Sequence, residues 1–392
     1  MVTYGDAGSL RSGPMPLNSN ALEHITIRGF KSIASIENLE LRPINVVIGA
    51  NGSGKSNFIG VFSFLHAIRE ARLMDYVIKA GGAERVLHFG SKITPGIHID
   101  LSFKDEVNGY EIDLAPSVDD GLYPSREVAR FWNKKKHPNE PYLVAMTPTQ
   151  QGREAGISVP DLPNGRGTPS WVSLRLGRWR VYHLHDTSVS SPMRKTARVN
   201  DNEFLRPDAS NLAAFLYFLQ ERHGAEYSLI RRTVQLVAPF FEDFRLKPLN
   251  LNPDDIRLEW RHKGSDQYFD ASSLSDGTLR FIALATLFLQ PKRLRPSVIL
   301  VDEPELGLHP YAIEMLASLV RQASVETQVI VSTQSSLLLD HFDPEEVLIA
   351  NRVEGGTRLT RLNPEQLGKW LDDYSLGQLW EKNQFAGRPH KD

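Results

Sequence analysis

Eight consecutive residues, Gly49-Ala50-Asn51-Gly52-Ser53-Gly54-Lys55-Ser56, have the types and spacing to hold a phosphate. They fit the pattern G-x-x-x-x-G-K-[ST], with an apolar run, Ile44 to Ile48, before them and a helical pattern after. Glycines let backbone N–H groups turn inward around phosphate oxygens, and the following helix offers its positive N-terminal end. In that setting Lys55 reaches the β- and γ-phosphates and the Ser56 hydroxyl ligates Mg2+. Asn57 completes the candidate binding set.

A second cluster is Val298-Ile299-Leu300-Val301-Asp302-Glu303-Pro304. Four apolar residues make a buried strand, with two carboxylates at its C-terminal end, where open α/β sheets bind ligands. Asp302 suits the Mg2+ sphere, and Glu303 suits a general base that orients an attacking water. A third is Ser273-Leu274-Ser275-Asp276-Gly277-Thr278, ahead of an apolar helix. Alone it is a helix cap and a turn. About 25 residues before the acidic strand, Ser275 and Gly277 become a second anion site at a helix N-terminus. His183, Leu184, His185 and Asp186 form a polar strand end; two histidines at i and i+2 suit a metal, but a structural cluster suits them better.

The elements that would position these groups alternate between strand and helix. Strands are expected near His24 to Arg28, Ile36 to Leu41, Ile44 to Ile48, Ile97 to Phe103, Tyr110 to Leu114, Ile256 to Trp260, Val298 to Val301 and Val329 to Ser332. Helices are expected from Ser56 to Met74, from Asn211 (as cap) to His223, from Glu226 to Phe240, after Ser275 and after Pro310. This recurrence predicts an α/β fold: a mainly parallel sheet with helices on both faces, and an antiparallel N-terminal β-subdomain. Residues 1–20 read as a flexible leader, 21–115 as one lobe, 116–255 as a loop-rich and helical insertion, and 256–392 as a second lobe. Between about 115 and 170, eight prolines predict little regular structure. No heptad pattern is sustained, so no long coiled coil is expected.

Composition narrows the class. The 392 residues are 41% hydrophobic and 23% charged, an ordinary globular balance. The net charge of −2 excludes a globally cationic coat. Cysteine is absent, which removes disulfides and thiolate metal sites and fits a reducing cytoplasm. No apolar run reaches the roughly 20 residues of a membrane span. The chain reads as cytoplasmic.

The order of these motifs resembles the ATP-binding-cassette ATPases: Walker A, a Leu-Ser-x-Gly signature, then Walker B with an immediate glutamate. Within them it is similar to the branch of structural-maintenance-of-chromosomes and RecF-type proteins. The residues that carry this are Ile25 to Ser32 and Asp302-Glu303-Pro304-Glu305-Leu306-Gly307-Leu308-His309-Pro310. The same pattern resembles compact bacterial AAA-type ATPases and the ATPase half of overcoming-lysogenization-defect nucleases. The resemblance implies ATP and Mg2+ as cofactors and a head-to-head homodimer. In it, ATP on Gly49 to Ser56 of one copy meets Ser275 and Gly277 of the other. Lys55, Glu303 and Gln334 are then the catalytic set, and Ser56 and Asp302 hold the metal.

Three departures stand out: Asp276 and Thr278 within the signature, His309 at the aspartate position beyond Walker B, and Gln334 where the family has histidine. Glutamine carries no proton at pH 7, so hydrolysis is expected to be slow. The family's Q-loop residue is not located; Gln150, Gln151 and the His183 to Asp186 strand end are candidates. Lys31 and Arg28 are candidates for nucleotide contact or surface roles.

The function implied is an ATP-driven switch that relays closure of a dimer to duplex DNA or to an effector such as a nuclease or toxin, in DNA maintenance or anti-phage defence. Arg69, Arg72, Arg126, Arg130 and Lys134 to Lys136 are the candidate DNA surface. The alternatives are an ATP-gated nuclease, for which Asp340, Asp343, Glu345 and Glu346 read better as solvated turn charges, and the ATPase subunit of a transporter.

Overall fold

The structure, a computed structural model, describes residues 21–150, 152–159, 167–368 and 370–385. The expected leader, and Gln151, lie outside them. The chain begins with β1 (Leu22–Phe30), β2 (Ile33–Glu40) and β3 (Ile44–Ile48). Helix α1 (Lys55–Arg69) leaves the glycine-rich loop directly and is followed by α2 (Leu73–Ala80) and the single turn α3 (Ala83–Val86). Strands β4 (Ile97–Phe103), β5 (Asn108–Pro116), β6 (Leu122–Phe131) and β7 (Tyr142–Ala145) come next, then α4 (Thr168–Leu176) and β8 (Trp179–Tyr182). A helical stretch holds β9 (Ala197–Arg198), α5 (Leu212–Arg222) and α6 (Gly224–Val237). Short strands β10 (Phe241–Arg245), β11 (Asp255–Ile256), β12 (Glu259–His262) and β13 (Tyr268–Asp270) lead into α7 (Asp276–Leu289). The remaining principal elements are β14 (Val298–Asp302), α8 (Pro310–Ser324), β15 (Gln328–Thr333), α9 (Ser336–Leu339), β16 (Val347–Val353) and β17 (Gly356–Arg361).

Two six-stranded sheets result. One is antiparallel throughout, in the order β2-β1-β4-β5-β6-β7. The other has the order β17-β16-β3-β15-β14-β8 and is parallel except for its β17 edge. Alternation along each parallel strand divides the core in two, because successive side chains point to opposite faces. Ile44, Val46 and Ile48 pack with α5, α6, α7 and α8, while Val47, Leu300 and Ile330 pack with α1 and the antiparallel sheet. The fold is the expected α/β class, and the longest helices among the described residues, α1 and α8, have 15 residues each, which leaves no long coiled coil.

Several expectations are corrected. Residues 122–131 and 142–145, expected to lack regular structure, extend the antiparallel sheet. Pro124 falls at a register shift, where a missing N–H costs no ladder bond. Helix α1 stops at Arg69 instead of running to Met74, because Ala71 turns to φ 55°. Asn211 stands at the N-cap position of α5, as expected, but its side chain makes no capping bond. Its amide instead donates to the Asp201 and Phe204 carbonyls and its oxygen accepts from the Arg206 N–H.

Candidate functional site

The glycine-rich loop joins the C-terminal end of β3 to α1. Gly52 and Gly54 have φ 80° and 100°, in the left-handed region where other residues are strained. Gly54 is also sterically required, since a Cβ there would lie 1.9 Å from Thr357 Oγ1 and 2.8 Å from Ser32 Oγ. Those two hydroxyls lie 2.7 Å apart, Thr357 donates to the Ser53 carbonyl at 3.0 Å, and Asn57 Nδ2 donates to Ser32 Oγ at 2.7 Å. The side-chain amide of Asn57, expected to bind nucleotide, thus joins this pair of hydroxyls. The sequence carries no local signal for Thr357, which lies 304 residues from Ser53.

Lys55 is buried, and its ammonium donates to the Gly49 and Ala50 carbonyls at 2.7 and 3.1 Å. Burial lowers its pKa, and the carboxylates of Glu303, Asp302 and Glu305 oppose that shift. The loop and the acidic strand end also share one edge of the sheet, because β3 and β14 both pair in parallel with β15. Ser56 is exposed at the first turn of α1. The buried Ser53 Oγ has no partner among the described residues. A turned-in loop, an open hydroxyl and an unpaired buried one fit a phosphate with a hard cation.

Asp302 ends β14, beside Ser332 on β15, whose hydroxyl it accepts. Glu303 takes φ 41° and its N–H donates to the Ser332 carbonyl at 2.9 Å, which turns its side chain off the strand. The Gln334 amide donates to the Glu303 carboxylate, so two residues 31 positions apart meet as one unit. Glu305 is a residue to which sequence reasoning gave no role. It is buried, its Oε1 accepts from the Thr333 hydroxyl and the Gln334 N–H, and burial raises its pKa.

Ser275 caps α7, accepting from the Thr278 N–H at 3.2 Å. It is exposed, and Gly277 is packed so tightly that a Cβ would lie 2.3 Å from the Gly307 carbonyl oxygen. Asp276 pairs with Arg194 at 2.7 Å, which also donates to the Leu274 carbonyl. His309 caps α8 through the Tyr311 N–H. Strand β8 ends next to β14, which places His183 and His185 beside Asp302; His185 Nε2 is 3.8 Å from Asp302 Oδ2. Asp186 points elsewhere, accepting from Ser188. Gln150 lies in a surface turn between Thr149 and Glu154.

Several candidate DNA contacts are engaged within the chain. Arg126 pairs with Glu111, Arg130 grips Asp100 through two nitrogens, Lys134 pairs with Glu106, and Arg69 pairs with Glu70. Arg28 pairs with Glu37, and the Lys31 ammonium lies over the rings of Phe30 and Tyr76.

Comparison with known proteins bears on the family and the fold. A family described as an AAA domain, putative AbiEii toxin of a type IV toxin–antitoxin system, matches residues 44–340. A putative ABC transporter ATP-binding protein of Geobacter sulfurreducens is 25% identical over 188 residues, covering 45% of this chain and 69% of that protein. Among solved structures, an Smc head bound to the C-terminal winged-helix domain of ScpA matches with TM-score 0.57 and 17% identity, over 89% of this chain and 99% of that one. An Smc head with an extended coiled coil, bound to the C-terminal domain of ScpA from Pyrococcus furiosus, matches with TM-score 0.53 and 15% identity, over 90% and 98%. Both likenesses are of fold.

Proposed function

The chain belongs to the AAA-domain family of the putative AbiEii toxin, a P-loop ATPase of the AAA/ABC, SMC-like kind, and on that premise we propose that it is an ATP-hydrolysing switch closed by a second copy of itself. One observation carries the reading: β3 and β14 flank β15 in one parallel sheet, so the glycine-rich loop and the Asp302–Glu303 strand end lie at the same edge, where Gln334 holds Glu303. The backbone of Gly49 to Gly54 would bind the phosphates, and Lys55 would neutralise their charge. Ser56 and Asp302 would hold Mg2+, which supplies charge neutralisation across the β- and γ-phosphates. Glu303 orients the attacking water and takes its proton as the water oxygen bonds to the γ-phosphorus and ADP leaves. Gln334 fixes the direction of that carboxylate and cannot itself take the proton.

The dimer reading rests on exposed groups around this site. Ser275 presents its hydroxyl at the open end of α7, and Leu306, Tyr311 and Leu337 are 40%, 43% and 50% exposed beside Glu305, His309 and Gln334. Exposed apolar side chains in the segments that follow the two strand ends suit a surface that another chain covers. Nucleotide bound better by the closed pair than by the open chain shifts the equilibrium. The readout is a partner effector such as a nuclease or toxin; duplex DNA is a second candidate.

The test is Glu303→Gln. Hydrolysis should fall by about 10^2–10^4, ATP binding should persist, and light scattering should show an ATP-dependent dimer. A variant that stays monomeric with ATP bound would overturn the dimer reading. Undiminished hydrolysis would overturn the role of Glu303.

A further inference from the structure

Two histidines that the ATPase reading leaves unused stand next to a carboxylate it does use. Tyr182, the last residue of β8, pairs with Val301 on β14, so the chain beyond it runs beside Asp302. Leu184 is buried in the core. Side chains alternate along extended chain, so His183 and His185 both fall on the other side. Two bonds from the buried Arg280 of α7 hold this segment: Nε to the Leu184 carbonyl at 2.9 Å and Nη2 to the His185 carbonyl at 3.0 Å. The His183 N–H donates to the Pro207 carbonyl at 3.0 Å. The backbone that carries both imidazoles is thus pinned from two directions.

One ligand atom from each of His183, His185 and Asp302 lies within 4.8 Å of the others. Bonds of about 2.0–2.2 Å to a tetrahedral ion set its donors about 3.4 Å apart. His185 Nε2 and Asp302 Oδ2 are already at 3.8 Å, so small side-chain rotations close the set. A second cluster, His98, Glu111 and Asp113, has one imidazole and two carboxylates, and Arg126 already neutralises those carboxylates.

We propose that His183, His185 and Asp302 bind one divalent transition-metal ion. Two imidazoles with a carboxylate select a borderline ion such as Zn2+, Co2+ or Ni2+, whereas Mg2+ prefers oxygen ligands alone. Three protein donors leave positions open for water or substrate oxygens. Because Asp302 belongs both to this set and to the set that holds Mg2+, the two ions compete for one carboxylate, and Arg280 ties the competition to the signature helix.

The experiment uses the full chain without nucleotide, so its outcome is separate from that of the ATPase reading. Dialysis against Zn2+ with elemental analysis should give one tightly held ion per chain, and Co2+ should give visible ligand-field bands. The His183→Ala/His185→Ala variant and, separately, Asp302→Asn should each weaken binding at least about tenfold and lose the bands. Lys55→Ala should retain both. Matching thermal melts of the variants show that the loss is not one of folding; should the double variant fail to fold, His185→Gln alone replaces it. Equal Zn2+ retention by wild type and the histidine variant, or binding indifferent to Asp302→Asn, overturns the proposal.

Discussion

Replacing Thr357 by valine removes one oxygen while keeping the shape of the side chain. That oxygen is buried, donates to the Ser53 carbonyl at 3.0 Å and lies 2.7 Å from Ser32 Oγ. Ser32 keeps its bond from Asn57, so the principal loss falls on the Ser53 carbonyl inside the phosphate loop. A buried bond lost with one partner left behind costs about 1–3 kcal/mol. At about 2.1 cal/mol/K per residue, unfolding entropy for a 392-residue chain is about 0.8 kcal/mol/K. The Tm should therefore fall by about 1–4 °C. If about half of the cost lies in holding the loop for nucleotide, ATP Kd rises about two- to thirteenfold. Calorimetry and a fluorescent-nucleotide titration read the two quantities, with Thr357→Ser as the control that keeps the hydroxyl. A valine variant with unchanged Tm and unchanged Kd would refute the claim that β17 braces the loop.

Alanine at Gly277 should improve helix propensity by up to about 1 kcal/mol, yet its Cβ would meet the Gly307 carbonyl at 2.3 Å. The clash should win, so Gly277→Ala lowers Tm, and a stabilised variant would disprove the packing argument. Gln334→Ala should slow ATP turnover by about tenfold while leaving ATP affinity unchanged, since the amide contacts Glu303; single-turnover kinetics decide. His66 is held by burial at a pKa of about 4, against an ordinary 6.5. Between those values the unfolded chain binds a proton that the folded chain does not, so stability falls as pH drops through that window. His66→Phe should flatten this part of the acid limb in pH-dependent urea melts; an unchanged slope would rule the histidine out.

Much of the fold was legible because its signals are local. The run Ile44 to Ile48, the glycine loop and the run Val298 to Val301 each state an element and its ends within a dozen residues. The misread stretch, 122–131, fails the same test: prolines mask a strand whose partner is β5, and pairing between strands is not written in either one alone. The helix after Ser56 was overextended because a positive φ at an alanine has no residue-type signature.

The candidate site divides along the same line. Residue types and spacing alone determined that Gly49 to Ser56 is a glycine-rich turn between a strand and a helix, and that Asp302 and Glu303 stand at a strand end, because backbone turning and strand termination are properties of short segments. Only the tertiary structure decided what surrounds them. It placed Thr357 behind the loop, set Gln334 on Glu303, buried Glu305, and exchanged Asp186 for Asp302 as the neighbour of His183 and His185. The order of strands in a parallel sheet is set by crossovers and by the packing of two cores, so residues as distant in sequence as Trp179 and Val298 become neighbours with nothing in either segment to announce it.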